Sequence, residues 1–434
     1  NSTVNLTWTK IYTSQIFTST SMVYTYYDFK TAMKDKNPSK KNALDFFTSS
    51  LVNDFQLKTD IQVFLNQNNI LQMGAEVTYH NFEVLTSDFY TNELKYAVNL
   101  GRSYKALEVA IFAQDEISLL DNLKANVGMR FYYFNEGKLY GWEPRLSVTW
   151  YLFDRLILRG AFSMANQPIH LLARNDVYLP TDVWFPSTPV VKPAKSMQGA
   201  LGFEATSADK TFLFTFEGYY KDLANLYEYK EDANFAYTSN YEKQLTVGRG
   251  EAWGLEMFFN KRIGTITGWF GYTLSWTKRY FDDLNRSEPF YPQFDRRHDI
   301  SIVLGWQPSE VLTFAATWNY SSGKAFPLPI MQYSFQNMSN PKENEQEIFY
   351  EYSARDAFRL PAFHKLDLSV NWLFMWGQNK IELSLNIYNV YNRFNAFSKY
   401  VGYKTDDATG IKTPVLKQFT LYPFLPSLGI KVHF

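Results

Sequence analysis

The sequence contains no cysteine. That excludes disulfide staples and thiolate metal sites, and it fits passage through an oxidising periplasm. Its five histidines, His80, His170, His298, His364 and His433, include no i, i+4 pair, so a zinc-hydrolase signature is missing. No run of about 18 apolar residues exists, which excludes a transmembrane helix. Net charge is zero, with 43 basic and 43 acidic residues, so no electrostatic ground points to nucleic acid as a partner. There is no P-loop, nucleophile elbow or catalytic-triad arrangement. The residues therefore propose no enzyme, no catalytic group, no cofactor and no metal. The first residues, NSTVNLTWTK, lack the basic and apolar regions of a signal peptide.

What is there is alternation. In KIELSLNIYNV, Ile381, Leu383, Leu385 and Ile387 fall on one face, and Glu382, Ser384, Asn386 and Tyr388 on the other. Period two marks a strand with two different environments. KLDLSVNW, LTFAATWNY and LKANVGMRF repeat it. Roughly seventeen such segments occur, many near the ~10 residues of a membrane-crossing strand. Mean hydropathy is slightly negative because half of each strand is polar. Length alone would suggest two or three soluble domains, but the connections oppose that. They strictly alternate between short and long. The short ones lie near 12–15, 66–69, 120–123, 153–155, 207–210, 262–265, 307–310 and 375–379. The mostly longer ones lie near 30–47, 84–104, 135–141, 166–195, 229–244, 279–298, 322–363 and 393–417. A soluble sandwich or propeller has no reason to gather its long loops at one end. A transmembrane antiparallel β-barrel does, with tight periplasmic turns and long extracellular loops.

Charge decides which face meets lipid. Arg130, Arg145, Arg159, Glu204, Glu217, Asp367 and Glu382 share faces with Ser, Thr and Asn. A charge in hydrocarbon costs roughly 2–4 kcal/mol at the midplane, so these faces are expected to line a wet lumen. Trp142, Trp150, Trp276, Trp306, Trp318 and Trp372 gather near strand ends, as interfacial girdles do, although aromatics also favour strands generally. The last segment, LPSLGIKVHF, alternates up to its final Phe434. It reads as a strand that crosses the membrane fully and helps close the ring.

Three other stretches hold candidate site residues. DVYLPTDVWFPSTP sets Tyr178, Trp184 and Phe185 on a loop stiffened by Pro180, Pro186 and Pro189. These aromatics either form a low-entropy binding surface for sugar rings or apolar ligands, or fold back as the loop's own core. His170, Arg174 and Asp176 could add polar contacts. YPQFDRRHD clusters Asp295, Arg296, Arg297, His298 and Asp299 where an outer loop enters a strand. The cluster reads as an anion or substrate contact, or as an ion-pair network locking the loop to the wall. Asp282, Asp283 and Glu288 could meet a hard cation, but their spacing is no EF-hand and a solvated loop explains them.

QPIHLLARNDVYLPTDVWFPSTPVVKP resembles an extracellular loop of TonB-dependent outer-membrane receptors of the Bacteroidota type. So do GRGEAWGLEMFFNKRIGTITGWFGYTLSWTKRYFDDLN…YPQFDRRHDISIVLGW and RLPAFHKLDLSVNW…LSLNIYNVYNRFN. Terminal Phe434 resembles the assembly signal of such barrels. The resemblance runs over essentially the whole chain. It implies a 22-stranded barrel with an N-terminal plug, in a group that often carries a carboxypeptidase-regulatory-like domain. Neither the plug nor a TonB-contacting segment is visible, so residues 1–434 are expected to be the C-terminal portion, approximately strands 6–22. The implied function is active import of a scarce nutrient: glycan, siderophore, cobalamin, haem or peptide. The implied partners are the TonB–ExbB–ExbD complex acting through the plug, the barrel-assembly machinery, the lipid bilayer and a surface lipoprotein. A passive channel or surface adhesin barrel is the rival reading, and a soluble all-β binding protein a second rival.

Overall fold

A computed structural model describes residues 2–33, 44–91, 102–172, 183–231, 233, 241–336, 346–352, 354–405 and 412–433. One antiparallel sheet of 17 strands forms the wall. Its first eight strands are β1 (Ser2–Thr13), β2 (Ile16–Met33), β3 (Leu44–Phe64), β4 (Asn69–Thr91), β5 (Arg102–Leu120), β6 (Leu123–Phe134), β7 (Leu139–Phe153) and β8 (Leu156–Gln167). Then follow β9 (Ala194–Thr206), β10 (Phe212–Tyr229), β11 (Leu245–Lys261), β12 (Ile266–Tyr280), β13 (His298–Ser309) and β14 (Leu312–Ser321). The last three are β15 (Phe363–Trp376), β16 (Asn379–Tyr388) and β17 (Leu425–His433). Each strand pairs with its sequence neighbour, from β1–β2 through β16–β17. Among the described residues no ladder joins β1 to β17, so each keeps one edge outside the sheet.

The cross-strand register sorts the side chains into two faces. One row reads Arg159–Gly202–Glu217–Glu256–Thr273–Asp299. The next row, on the opposite face, reads Gly160–Leu201–Gly218–Leu255–Leu274. Leu201, Ile430 and Leu428 stand 74%, 73% and 85% exposed on the apolar face, where hydrocarbon replaces water. All seven residues assigned to the lumen fall on the polar face. Trp142, Trp150, Trp306 and Trp372 are exposed on the apolar side near strand ends. Trp276 is half-buried, stacked on Trp253 at 6.0 Å, and Trp318 stacks on Tyr320 at 6.0 Å. Phe434 lies outside the described residues.

The wall departs from the sequence expectation in strand length. β3 has 21 residues and β4 has 23, well beyond a ~10-residue crossing. The flanks of the loops assigned to 30–47 and 84–104 are therefore ladder, and residues 34–43 and 92–101 lie outside the described residues. Continued pairing satisfies backbone donors and acceptors outside the bilayer as well as within it. The connections assigned to 166–195, 322–363 and 393–417 also build small sheets. These are Ile169–Leu172 with Val183–Pro186, Ala325–Phe326 with Phe358–Arg359, Pro329–Gln336 with Gln346–Tyr352, and Ala396–Thr405 with Lys412–Thr420.

Candidate functional site: the mouth and lumen of the barrel

At the long-loop end, the connection between β8 and β9 folds across the wall. Its hairpin (Ile169–Leu172 with Val183–Pro186) places Leu172 and Phe185 against Phe82 of β4, Tyr104 of β5, Tyr229 of β10 and Leu245 of β11. Phe185 meets Tyr104 edge-on at 5.5 Å. A turn follows, in which Thr188 Oγ1 accepts the Val191 N–H at 3.1 Å and the Thr188 N–H donates to the Val191 carbonyl at 2.9 Å. Tyr227 Oη accepts the Lys192 N–H at 2.7 Å and pins the return to the wall.

This placement corrects part of the expected ligand set. Phe185 is fully buried, so it is the loop's own core and not a free ligand surface. His170 is buried too, 3.0 Å from Ser187 Oγ and 5.2 Å edge-on to Tyr227. Burial pushes its imidazole down to about 4, so it is neutral at pH 7. Trp184 keeps intermediate exposure beside them. Arg174, Asp176 and Tyr178 lie outside the described residues.

The charge cluster entering β13 forms a network of ion pairs and hydrogen bonds within the chain. Asp295 is buried, accepts the Thr277 N–H at 2.8 Å, and pairs with Arg359 and, at 3.9 Å, Arg297. Arg359 also donates to the Asp295 carbonyl at 2.7 Å. Arg297 donates to the Ser275 carbonyl at 3.0 Å and lies 4.5 Å over Trp276. Arg296 donates to Ser321 Oγ at 2.7 Å, with Asp299 4.0 Å away, and His298 Nδ1 sits 2.9 Å from Tyr272 Oη. Above them Glu228 is bracketed by Arg279 and Arg355. Asp356 is buried beside them with both carboxylate oxygens lacking a partner, and burial pushes it up to about 7. Glu228, Arg279, Arg355, Arg359 and Asp356 were not singled out from sequence. They join segments 51 to 127 residues apart. Asp283 accepts a hydrogen bond from Thr246 Oγ1 at 3.0 Å, and no acidic or histidine group of metal-binding size occurs among the described residues.

The lumen wall has two sectors. Across β3–β7, Arg130 gathers Glu76, Glu108 at 3.0 Å and Glu143 at 3.3 Å. Arg145 adds a 3.5 Å contact to Glu143, and His80 sits 2.8 Å from Asp54 and 3.7 Å from Glu108. Across β8–β13, Arg159 pairs with Glu204 at 2.9 Å, but Glu217 faces Glu256 and Asp299 stands nearby in a recess of about 390 Å³. Nearer the end of the wall, Lys365 pairs with Asp367, and Glu382 faces Lys431. The lumen residues missed from sequence include Glu76 and His80. Alternation in GAEVTYHNF carried their signal, with Val77 and Tyr79 on the other face.

Solved structures share this wall. The ferric yersiniabactin uptake receptor from Yersinia pestis superposes with a TM-score of 0.66 at 11% identity, over 100% of this chain and 61% of that one. The ferripyoverdine receptor of the outer membrane of Pseudomonas aeruginosa gives 0.61 at 11%, over 99% and 55%. The ferric-catecholate import receptor from K12 E. coli gives 0.59 at 13%, over 99% and 63%. The chain thus spans little more than half the length of these structures, and at such identity the likeness speaks for the fold. No curated protein matches the sequence. The family model for the β-barrel of TonB-dependent receptor-like proteins matches residues 1–390. The chain is an outer-membrane β-barrel polypeptide and belongs to the TonB-dependent receptor family.

Proposed function

We propose that the chain is the larger part of the barrel of an active transporter, approximately strands 6–22 of 22, importing a scarce nutrient with energy from TonB. The observation that carries this reading is the second lumen sector. Glu204, Glu217, Glu256 and Asp299 face inward with Arg159 as the cation lining the same recess. A lumen that is left acidic suits a basic stopper held by ion pairs, and a passive pore has no need of one. The open edges of β1 and β17 fit the strand count, because an unpaired backbone group in lipid costs several kcal/mol. Five further strands would close the ring.

The solved neighbours are named for ferric chelates and citrate. A ferric siderophore is accordingly one candidate beside glycan, cobalamin, haem and peptide. The TonB–ExbB–ExbD complex, the barrel-assembly machinery and a surface lipoprotein are the expected partners. The exposed apolar face leaves nothing in favour of the soluble rival. Uptake assays on intact cells test the reading. Accumulation of a growth-limiting nutrient is expected to need both this gene and TonB. Uptake that persists without TonB would leave a passive channel. A full-length structure in which β1 pairs directly with β17 would overturn the strand count.

A further inference from the structure

Three of the connections at the mouth are tied into one body. They link β10 to β11, β12 to β13, and β14 to β15. Glu228, near the end of β10, accepts from Arg279 of β12 and from Arg355 of the third connection. Asn285 joins all three connections. Its N–H donates to Glu231 Oε1 at 3.0 Å, and its Oδ1 accepts the Arg355 N–H at 2.8 Å. Phe281, Leu284 and Phe290 give the second connection an apolar core, with Leu226 packed against it. The Arg355 guanidinium lies 5.2 Å over the Phe290 ring.

Two features of this body work against its own ties. Asn285, Arg286 and Ser287 stand in succession in the left-handed region, at φ 52°, 57° and 63°. Side chains with a Cβ adopt that conformation at a cost, and it persists only where the surroundings hold it. The second feature is Asp356. It is 4% exposed, and neither carboxylate oxygen has a hydrogen-bond partner among the described residues. The charged groups that face it are Arg355 and Arg359 of its own connection, Glu228 of β10 and Arg279 of β12. All three cations are already engaged. Arg279 and Arg355 are held by Glu228, and Arg359 pairs with Asp295. A buried carboxylate without a partner either keeps its proton or moves out to water. Burial accordingly raises Asp356 from 3.8 to about 7.

We propose that the three connections form a proton-operated latch at the mouth. While Asp356 holds its proton they stay tied through Glu228 and Asn285. Ionisation draws residues 355–356 out into water, parts those ties and lets the left-handed turn relax. The latched form binds the proton more tightly than the released form. The latch therefore holds fully below pH 3.8, weakens as pH rises from there to about 7, and weakens no further above that. The assignment rests on the long-loop end being the extracellular mouth and does not depend on which nutrient is imported. Hydrogen–deuterium exchange of the full-length receptor in mild detergent, corrected for the intrinsic effect of pH on exchange, tests it between pH 5 and pH 8. Opening of residues 281–290 and 354–360 should become about tenfold more frequent per pH unit from 5 toward 7 and level off by 8. Asp356→Asn, which cannot ionise, should abolish that dependence. Arg286→Gly, whose side chain makes none of the ties, relaxes the turn and should make opening about threefold rarer at every pH. The hairpin of 169–172 with 183–186 is the internal control, because buried His170 gives its docking the opposite sign. A flat wild-type series, or an Asp356→Asn receptor that keeps the wild-type dependence, overturns the latch. Should Asp356→Asn fail to assemble, the wild-type series and Arg286→Gly decide.

Discussion

The two lumen sectors follow the same alternation on different strands, β3–β7 and β8–β13, yet they handle charge in different ways. Across β3–β7 the carboxylates Glu76, Glu108 and Glu143 converge on one guanidinium, and the docked hairpin fills the space above. Across β8–β13, Glu217 and Glu256 face each other. The first sector is satisfied by the chain itself and acts as scaffold. In the second, Arg159 pairs with Glu204 and Arg296 stands 4.0 Å from Asp299, while Glu217 and Glu256 have no ion-pair partner among the described residues.

The largest expected effects would collapse the first sector. Arg130→Met strands three inward carboxylates, and breaking a buried ion network costs ~3–5 kcal/mol. A fall in melting temperature, with faster hydrogen exchange in β4–β6, checks it. Phe185→Ala opens a cavity under the hairpin and costs ~3–5 kcal/mol of docking. Exchange protection at 169–172 and 183–186 should drop while the wall strands stay protected.

Acid should act on the same hairpin. His170 titrates at about 4 when docked and near 6.5 when released, so the released form binds more protons between those values. Docking is therefore unaffected above pH 6.5 and weakens as pH falls from 6.5 to about 4. His170→Gln should flatten that dependence. At the mouth, Asp356 is raised from 3.8 to about 7, so the folded form holds the extra proton in that window, and stability falls as pH rises through it. Asp356→Asn should stabilise the loop at pH 8 and do little near pH 4. The smallest structural effect is expected in the second sector. Glu217→Gln with Glu256→Gln should leave melting unchanged and lower nutrient uptake. A large loss of stability would erase the contrast between the sectors.

Much of this wall was legible because period-two alternation is local. The sorting of Arg159, Glu204 and Glu217 to one face, and of Leu201 and Leu255 to the other, needs only neighbouring residues. Partner choice was not legible. Arg130 finds Glu76, 54 positions away, through the register of two intervening ladders, which no single segment encodes. Strand ends were misjudged for a related reason. Where β3 and β4 run on past a ~10-residue crossing, their faces no longer divide between lipid and lumen, and the alternation that marks a crossing fades. The DVYLPTDVWFPSTP loop left display and burial both open, because prolines and aromatics suit rigid presentation as well as compact burial. Phe185 shows burial winning where an apolar recess on β4 and β5 is within reach.

The β8–β9 hairpin has a mechanical consequence. It starts at the end of β8 and is packed through Phe185 and Leu172 against β4 and β5, four and three strands back. Any inward pull on the lumen beside β8–β13 is thus shared with β4 and β5 through a cross-tie. The cylinder should resist ovalising there, so force is routed to whatever sits loosely inside and the shell keeps its shape.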